Sequence, residues 1–135
     1  MHGALIIHNW TFDDSRLSGK VSLIDIWNFE TVRIASSTFS NGKGQRFLLF
    51  QVVKEVYIGH CHFYNAIASN NNVRCMKMDN VTMALVEHSS FTHCHSWTSG
   101  GAVQIVNPKK TSIIKYCSFT KKHSETNWWC YLSQY

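Results

Sequence analysis

The sequence predicts an all-β chain folded as one parallel β-helix domain over residues 1–135, and three observations carry that expectation. Five phenylalanines, Phe12, Phe39, Phe63, Phe91 and Phe119, recur at spacings of 27, 24, 28 and 28 residues. A recurrence of this length is the mark of stacked repeats. Five residues ahead of each stands a β-branched residue: Ile7, Ile34, Ile58, Val86 and Ile114. In the segments before them apolar and polar residues alternate, and no stretch sustains the roughly 3.6-residue pattern of an amphipathic helix.

The elements follow in order. The first coil runs through Leu5-Ile6-Ile7 and ends near Phe12. The second opens with Leu23-Ile24-Asp25-Ile26 and ends near Phe39; the third opens with Leu48-Leu49-Phe50-Gln51-Val52 and ends near Phe63. Cys75-Met76-Lys77-Met78 leads to Phe91, and Ala102-Val103-Gln104-Ile105 to Phe119. Ile26, Phe50 and Met78 each stand 13 residues ahead of their phenylalanine. Residues 124–135, with Asn127-Trp128-Trp129-Cys130-Tyr131-Leu132, read as the start of a sixth coil or as a C-terminal cap.

One repeat of two or three short strands cannot bury its own apolar face, so the repeats must stack. A propeller blade needs about 40–45 residues. A leucine-rich repeat needs leucines where this chain has Ile, Val and Phe. A parallel β-helix of about five coils, each of 24–28 residues, remains. In it Ile7, Ile34, Ile58, Val86 and Ile114 form one inward column and Phe12, Phe39, Phe63, Phe91 and Phe119 another, at a rung spacing of about 4.8 Å. Asn41 and Asn65, each two residues past its phenylalanine, occupy equivalent turns where stacked amides form a ladder. His93 and Lys121 stand at the same offset, where the ladder is expected to break. The residue just before each phenylalanine is Thr11, Thr38, His62, Ser90 or Ser118.

Val32-Arg33-Ile34-Ala35-Ser36-Ser37-Thr38-Phe39-Ser40-Asn41-Gly42 and Val56-Tyr57-Ile58-Gly59-His60-Cys61-His62-Phe63-Tyr64-Asn65 resemble the V-x-I-x-x-C/S-x-F-x-N coils of right-handed parallel β-helix, pectin-lyase-like repeat proteins. Gly100-Gly101-Ala102-Val103, followed by Ile113-Ile114-Lys115-Tyr116-Cys117-Ser118-Phe119, is similar to coils of polymorphic outer-membrane proteins and protist surface β-helix proteins. The resemblance implies a right-handed solenoid and a place at the cell surface or outside the cell.

Composition bounds the rest. The chain is 44% apolar, with 18 aromatics and a single proline, too apolar for a disordered segment. No apolar run approaches the ~18 residues of a membrane span. The start, Met1-His2-Gly3-Ala4-Leu5-Ile6-Ile7-His8, has no basic region before its short apolar stretch and is not expected to act as an export signal. Net charge is +5, and residues 68–135 hold seven basic groups against three acidic. Lys109, Lys110, Lys115, Lys121 and Lys122 supply most of that excess, which reads as a solvated face and not as a specific nucleic-acid site.

Candidate chemistry is sparse. Glu30 and Glu55 fall near one another across one rung, with Arg33 beside them, and they are the catalytic candidates of a carbohydrate-active reading. Lys54 falls in register with Glu30, so an exposed cross-rung pair explains it as well. His60 and His88 each stand three residues before a phenylalanine and stack on adjacent rungs, the best-placed pair for a shared metal ion, with Ser36 and Tyr116 completing the column. Cys61 and Cys117 share a column two rungs apart, too far for a disulfide, and behave as small core residues. One bridge near the C-terminal end, involving Cys130, stays open. Trp97, Trp128 and Trp129 are aromatic binding candidates. The sequons at Asn9 and Asn80 match chance.

These features point to a non-catalytic structural or adhesive segment of a surface or secreted protein, without a cofactor, whose partners are glycans or other surface proteins. The alternative is a carbohydrate-active or glycan-binding β-helix. Neither end supplies the polar cap a solenoid needs, so the chain is expected to be part of a longer one and, alone, to self-associate through its uncapped rungs.

Overall fold

In the structure, a computed structural model, the described residues are 2–13, 22–42, 46–66, 75–94, 102–120 and, as backbone only, 131–133. Among them are thirteen strands and no helix. The first five are β1 (His2–His8), β2 (Thr11–Asp13), β3 (Ser22–Trp27), β4 (Phe29–Ala35) and β5 (Thr38–Gly42). The long strand β6 (Arg46–Gly59) is followed by β7 (His62–Ala66), the long β8 (Met76–Glu87) and β9 (Ser90–Cys94). Then come β10 (Val103–Val106), β11 (Ile113–Lys115), β12 (Ser118–Thr120) and β13 (Tyr131–Ser133). Every pairing is parallel and joins one coil to the next, so the chain is a parallel β-solenoid.

The coil has three walls. Wall one stacks β3, residues 46–51 of β6, residues 76–79 of β8, then β10 and β13. Wall two stacks β1, β4, residues 53–59 of β6, residues 81–87 of β8, and β11. Wall three is the separate sheet β2, β5, β7, β9, β12. Single residues with positive φ make the corners: Asn28, Val52, Asn80 and Asn107 between walls one and two; Asn9, Ser36, His60, His88 and Tyr116 between walls two and three; Asn41, Asn65 and His93 at the exit from wall three. One left-handed residue bends the chain from one wall into the next, which helps keep successive coils in register.

That economy accounts for the uneven period. Phe47 to Phe63 and Cys75 to Phe91 both span 16 residues, so the variation between coils falls after wall three. Ala102 to Phe119 spans 17. The added residue lies within 107–112, because β10 pairs with β8 at an offset of 27 residues and β11 at 28. This segment holds Pro108, which lacks a backbone donor, and here walls one and two are separate strands where β6 and β8 run through the corner.

Like residues stack in the interior. The phenylalanine column has centroid separations of 4.8, 4.8, 4.9 and 4.9 Å with near-parallel rings. Ile7, Ile34, Ile58, Val86 and Ile114 pair residue on residue. Wall one adds the columns Ile24-Leu48-Met76-Val103 and Ile26-Phe50-Met78-Ile105. Phe47 tilts between Phe39 and Phe63, and a Cβ at Gly42 would press on its ring at 2.9 Å. One coil on, the Cys75–Cys94 disulfide spans the same level of the interior, joining the start of wall one to the end of wall three.

The described residues amount to about three turns, where the phenylalanine spacing suggests five coils. Only β4–β5, β6–β7 and β8–β9 have neighbours on both sides along walls two and three. Phe39, Phe63 and Phe91 are therefore buried, whereas Phe12 and Phe119, covered on one side, are half-exposed. Asp14, Trp97, Gly100, Gly101, Lys121, Lys122, Trp128, Trp129 and Cys130 lie outside the described residues.

Phe63→Ala removes the middle of the ring column and should cost about 3–5 kcal/mol. Ile58→Asn, which buries an unpaired amide, should cost a comparable amount. Thermal unfolding should show both midpoints lowered by well over the few degrees that ~1 kcal/mol produces in a domain of this size. Midpoints within about two degrees of the parent would mean these columns do not carry the fold.

Candidate functional site

Outward side chains stack by the same geometry. On wall three, the residues on either side of each phenylalanine face outward, so β7 and β9 lay His62 and Tyr64 against Ser90 and Thr92, and the corner just beyond sets Asn65 against His93. These six line a shallow depression of about 380 Å³. Within it His62 Nδ1 lies 2.6 Å from Ser90 Oγ, and Tyr64 is 38% exposed.

The corner beside it is a ladder. Asn41 Nδ2 donates to Asp13 Oδ1 at 3.4 Å, Asn65 Nδ2 donates to Asn41 Oδ1 at 3.2 Å, and His93 Nδ1 stands 3.1 Å from Asn65 Oδ1. The ladder does not break at His93: the imidazole adopts the same left-handed backbone, φ 54°, and offers a ring nitrogen where the earlier coils offer an amide. Asn and His tolerate this conformation better than most residues, which is why the corner accepts either.

The opposite corner of wall three carries His60 and His88, stacked with centroids 5.0 Å apart and planes 2° from parallel, with Tyr116 continuing the stack 5.0 Å beyond. Their in-plane lone pairs run side by side and do not converge. Among the described residues no three His, Cys, Asp or Glu side chains come together as a ligand set. Beneath the corner a buried Ser/Cys column satisfies the backbone. Ser37 Oγ donates to Ala35 O and accepts from Trp10 N; Ser89 Oγ donates to Glu87 O and accepts from Cys61 N. Cys61 and Cys117 take the alternate rungs as free thiols, Cys61 bonded to the carbonyls of Ile34 and Gly59.

Wall two carries an exposed row. The Arg33 guanidinium covers the Tyr57 ring at 4.2 Å, the Tyr57 hydroxyl donates to Glu87 at 3.1 Å, and Lys115 pairs with Glu87 at 3.6 Å. A Cβ at Gly59 would collide with that hydroxyl, so the glycine is what lets Tyr57 fold toward Glu87. Arg33 is thus engaged with Tyr57 and stands apart from the two acids in role. Glu55 stacks between Thr31 and Met83.

Glu30 and Lys54 are in register, but no ion pair joins them. Both line a groove of about 320 Å³ at the corner of walls one and two, with Val52, Asn80, Thr82 and Lys109. Val52 is its anomaly. A β-branched residue at φ 56° is strained, and its column partners Asn28, Asn80 and Asn107 are all asparagine. This column was legible: Asn28 and Asn80 each stand 11 residues before a phenylalanine. The depression on wall three was signalled by the residue preceding each phenylalanine, His62 and Ser90, and by Asn65 and His93 two residues past it, whereas Tyr64 and Thr92 carried no signal.

Compared with protein families, curated proteins and solved structures, the chain finds no match. The fold therefore rests on its own geometry. No helix of the described residues is long and apolar enough to cross a membrane.

Val52→Asn should relieve the left-handed valine and raise stability by about 1 kcal/mol, read as a higher thermal midpoint. A lowered midpoint would show that the valine side chain contributes more than its backbone costs.

Alkaline titration should weaken the fold. Burial pushes the Cys61 thiol above its ordinary 9.0, outweighing the Ser37 and Gly59 backbone groups that lower it. Burial likewise raises Cys117, and burial followed by the Glu87 bond raises Tyr57. A raised value means the folded state holds the proton more tightly than the unfolded one. The stability linked to it is complete below the ordinary value and is lost as pH rises through the raised one. Urea midpoints should fall above about pH 9, less steeply in Cys61→Ala.

Proposed function

We propose that this chain is a structural and adhesive β-solenoid segment of a secreted or cell-surface protein, wound right-handed as parallel crossover connections almost always are. The observation that supports it is the unbroken column from Phe12 to Phe119. A stacked core of this kind makes a stiff rod on which outward side chains repeat at rung spacing, suited to holding a binding surface at a distance and to meeting a repetitive partner. The Cys75–Cys94 disulfide supports an oxidising compartment, since such bridges persist outside the cytosol. The affinity to pectin-lyase-like and surface β-helix proteins belongs to this proposal as well, resting on the Val-x-Ile and Phe-x-Asn coils.

A carbohydrate-active reading draws on one feature, the groove holding Glu30, Lys54 and Lys109. Paired-carboxylate hydrolysis needs two acids flanking the scissile bond. Glu30 lines that groove, whereas Glu55 is not among its lining residues.

Incubating the purified chain with polygalacturonate, pectin and alginate separates the readings. No reducing ends and no unsaturated product are expected. Product that disappears in Glu55→Gln or Glu30→Gln would overturn the non-catalytic assignment.

A further inference from the structure

The ladder at the exit from wall three has a direction. The Asp13 carboxylate, when ionised, offers acceptors only, so Asn41 must present its Nδ2 there and its Oδ1 to the next coil. That oxygen receives Asn65 Nδ2, which leaves Asn65 Oδ1 facing His93. An amide oxygen does not donate. His93 Nδ1 therefore carries the proton, and in the neutral ring Nε2 keeps its lone pair. A carboxylate three coils away thus selects the tautomer of an imidazole at the edge of the depression.

The second imidazole is tied in the same manner. His62 Nδ1 is occupied by Ser90 Oγ at 2.6 Å, so Nε2 is again the nitrogen left for a ligand. Between the two rings stand Tyr64, 38% exposed, and the hydroxyl of Thr92. None of the six lining side chains is Asp, Glu, Lys or Arg. With both imidazoles neutral a charged ligand would meet no countercharge here, and an apolar one would leave the oriented ring nitrogens unpaired.

We propose that this depression binds a neutral saccharide. Sugar hydroxyls donate to His93 Nε2 and exchange hydrogen bonds with Thr92 and His62, while the apolar face of a pyranose lies on Tyr64. Adjacent rungs repeat at about 4.8 Å, which lets a linear chain of sugars run along the solenoid axis over wall three. The proposal rests on the adhesive reading and gives it a ligand class and a place.

The test titrates the full chain with cellohexaose, chitohexaose, laminarihexaose and mannohexaose, with polygalacturonate as the acidic comparison, following histidine and tyrosine ring signals by NMR. At least one neutral oligosaccharide should shift the His93 and Tyr64 signals, and the His93 nitrogen shifts should show a protonated Nδ1 and a bare Nε2. Tyr64→Ala should weaken that binding about tenfold or more. His93→Asn, which continues the asparagine ladder but removes the imidazole, should do the same with the thermal midpoint kept. The proposal is overturned if no neutral oligosaccharide shifts these signals, if both variants bind like the parent, or if polygalacturonate binds there more tightly. Any of those results leaves the scaffold assignment standing, which falls only on release of polysaccharide product.

Discussion

Residue-on-residue stacking between parallel coils is the interaction on which the rest of this structure depends. In a parallel ladder each side chain faces its counterpart one rung away, so a coil is stabilised by resembling its neighbours. Phe39, Phe63 and Phe91 show the effect directly, with rings about one rung apart and nearly parallel. The requirement propagates outward. If the core columns are to stay aligned, residues at equivalent positions of each wall must keep their register from coil to coil, and short corners serve that best, with the extra residue within 107–112 absorbed between walls one and two. A left-handed residue makes such a turn, one standing at each described corner between walls one and two and between walls two and three, with more than one further residue before the next strand only in 107–112.

The corners also explain where polarity is tolerated. A sharp turn leaves backbone groups facing inward, and the Ser37, Cys61, Ser89 and Cys117 column supplies side chains that bond to them. Serine and cysteine alternate there because both are small and both donate, so the column is polar in chemistry yet nearly buried. The exit corner uses amides and an imidazole instead, since its residues stand at the surface and can bond to one another along the axis. On these outward ladders one coil positions the next, and a side chain's neighbours are set by register.

Strain and covalent closure mark the remaining departures from repetition. Val52 interrupts an asparagine column at the groove of Glu30 and Lys54, and strain of that kind gathers where a site is shaped by its surroundings. The Cys75–Cys94 bridge and the Phe47 ring occupy the same level in adjacent coils, two ways of filling the gap between the start of wall one and the end of wall three.

What the sequence determined by itself is the periodic part. Phe and Ile/Val at a constant offset of five residues identify the inward columns, because strand side chains alternate strictly and parallel rungs copy that alternation from coil to coil. The parallel solenoid, the Phe-on-Phe stack and the Asn41–Asn65 contact were all legible on that ground. Tertiary structure alone decided the rest. That Cys75 meets Cys94, 19 residues apart, depends on the end of wall three closing on the start of wall one, which no periodic offset encodes. That His93 extends the ladder depends on an imidazole matching an amide in reach and backbone, a likeness of shape invisible to a search for identical residues. That about three turns are covered on both sides depends on neighbours in space, because burial at a given rung is supplied by the coils above and below and not by the rung's own residues.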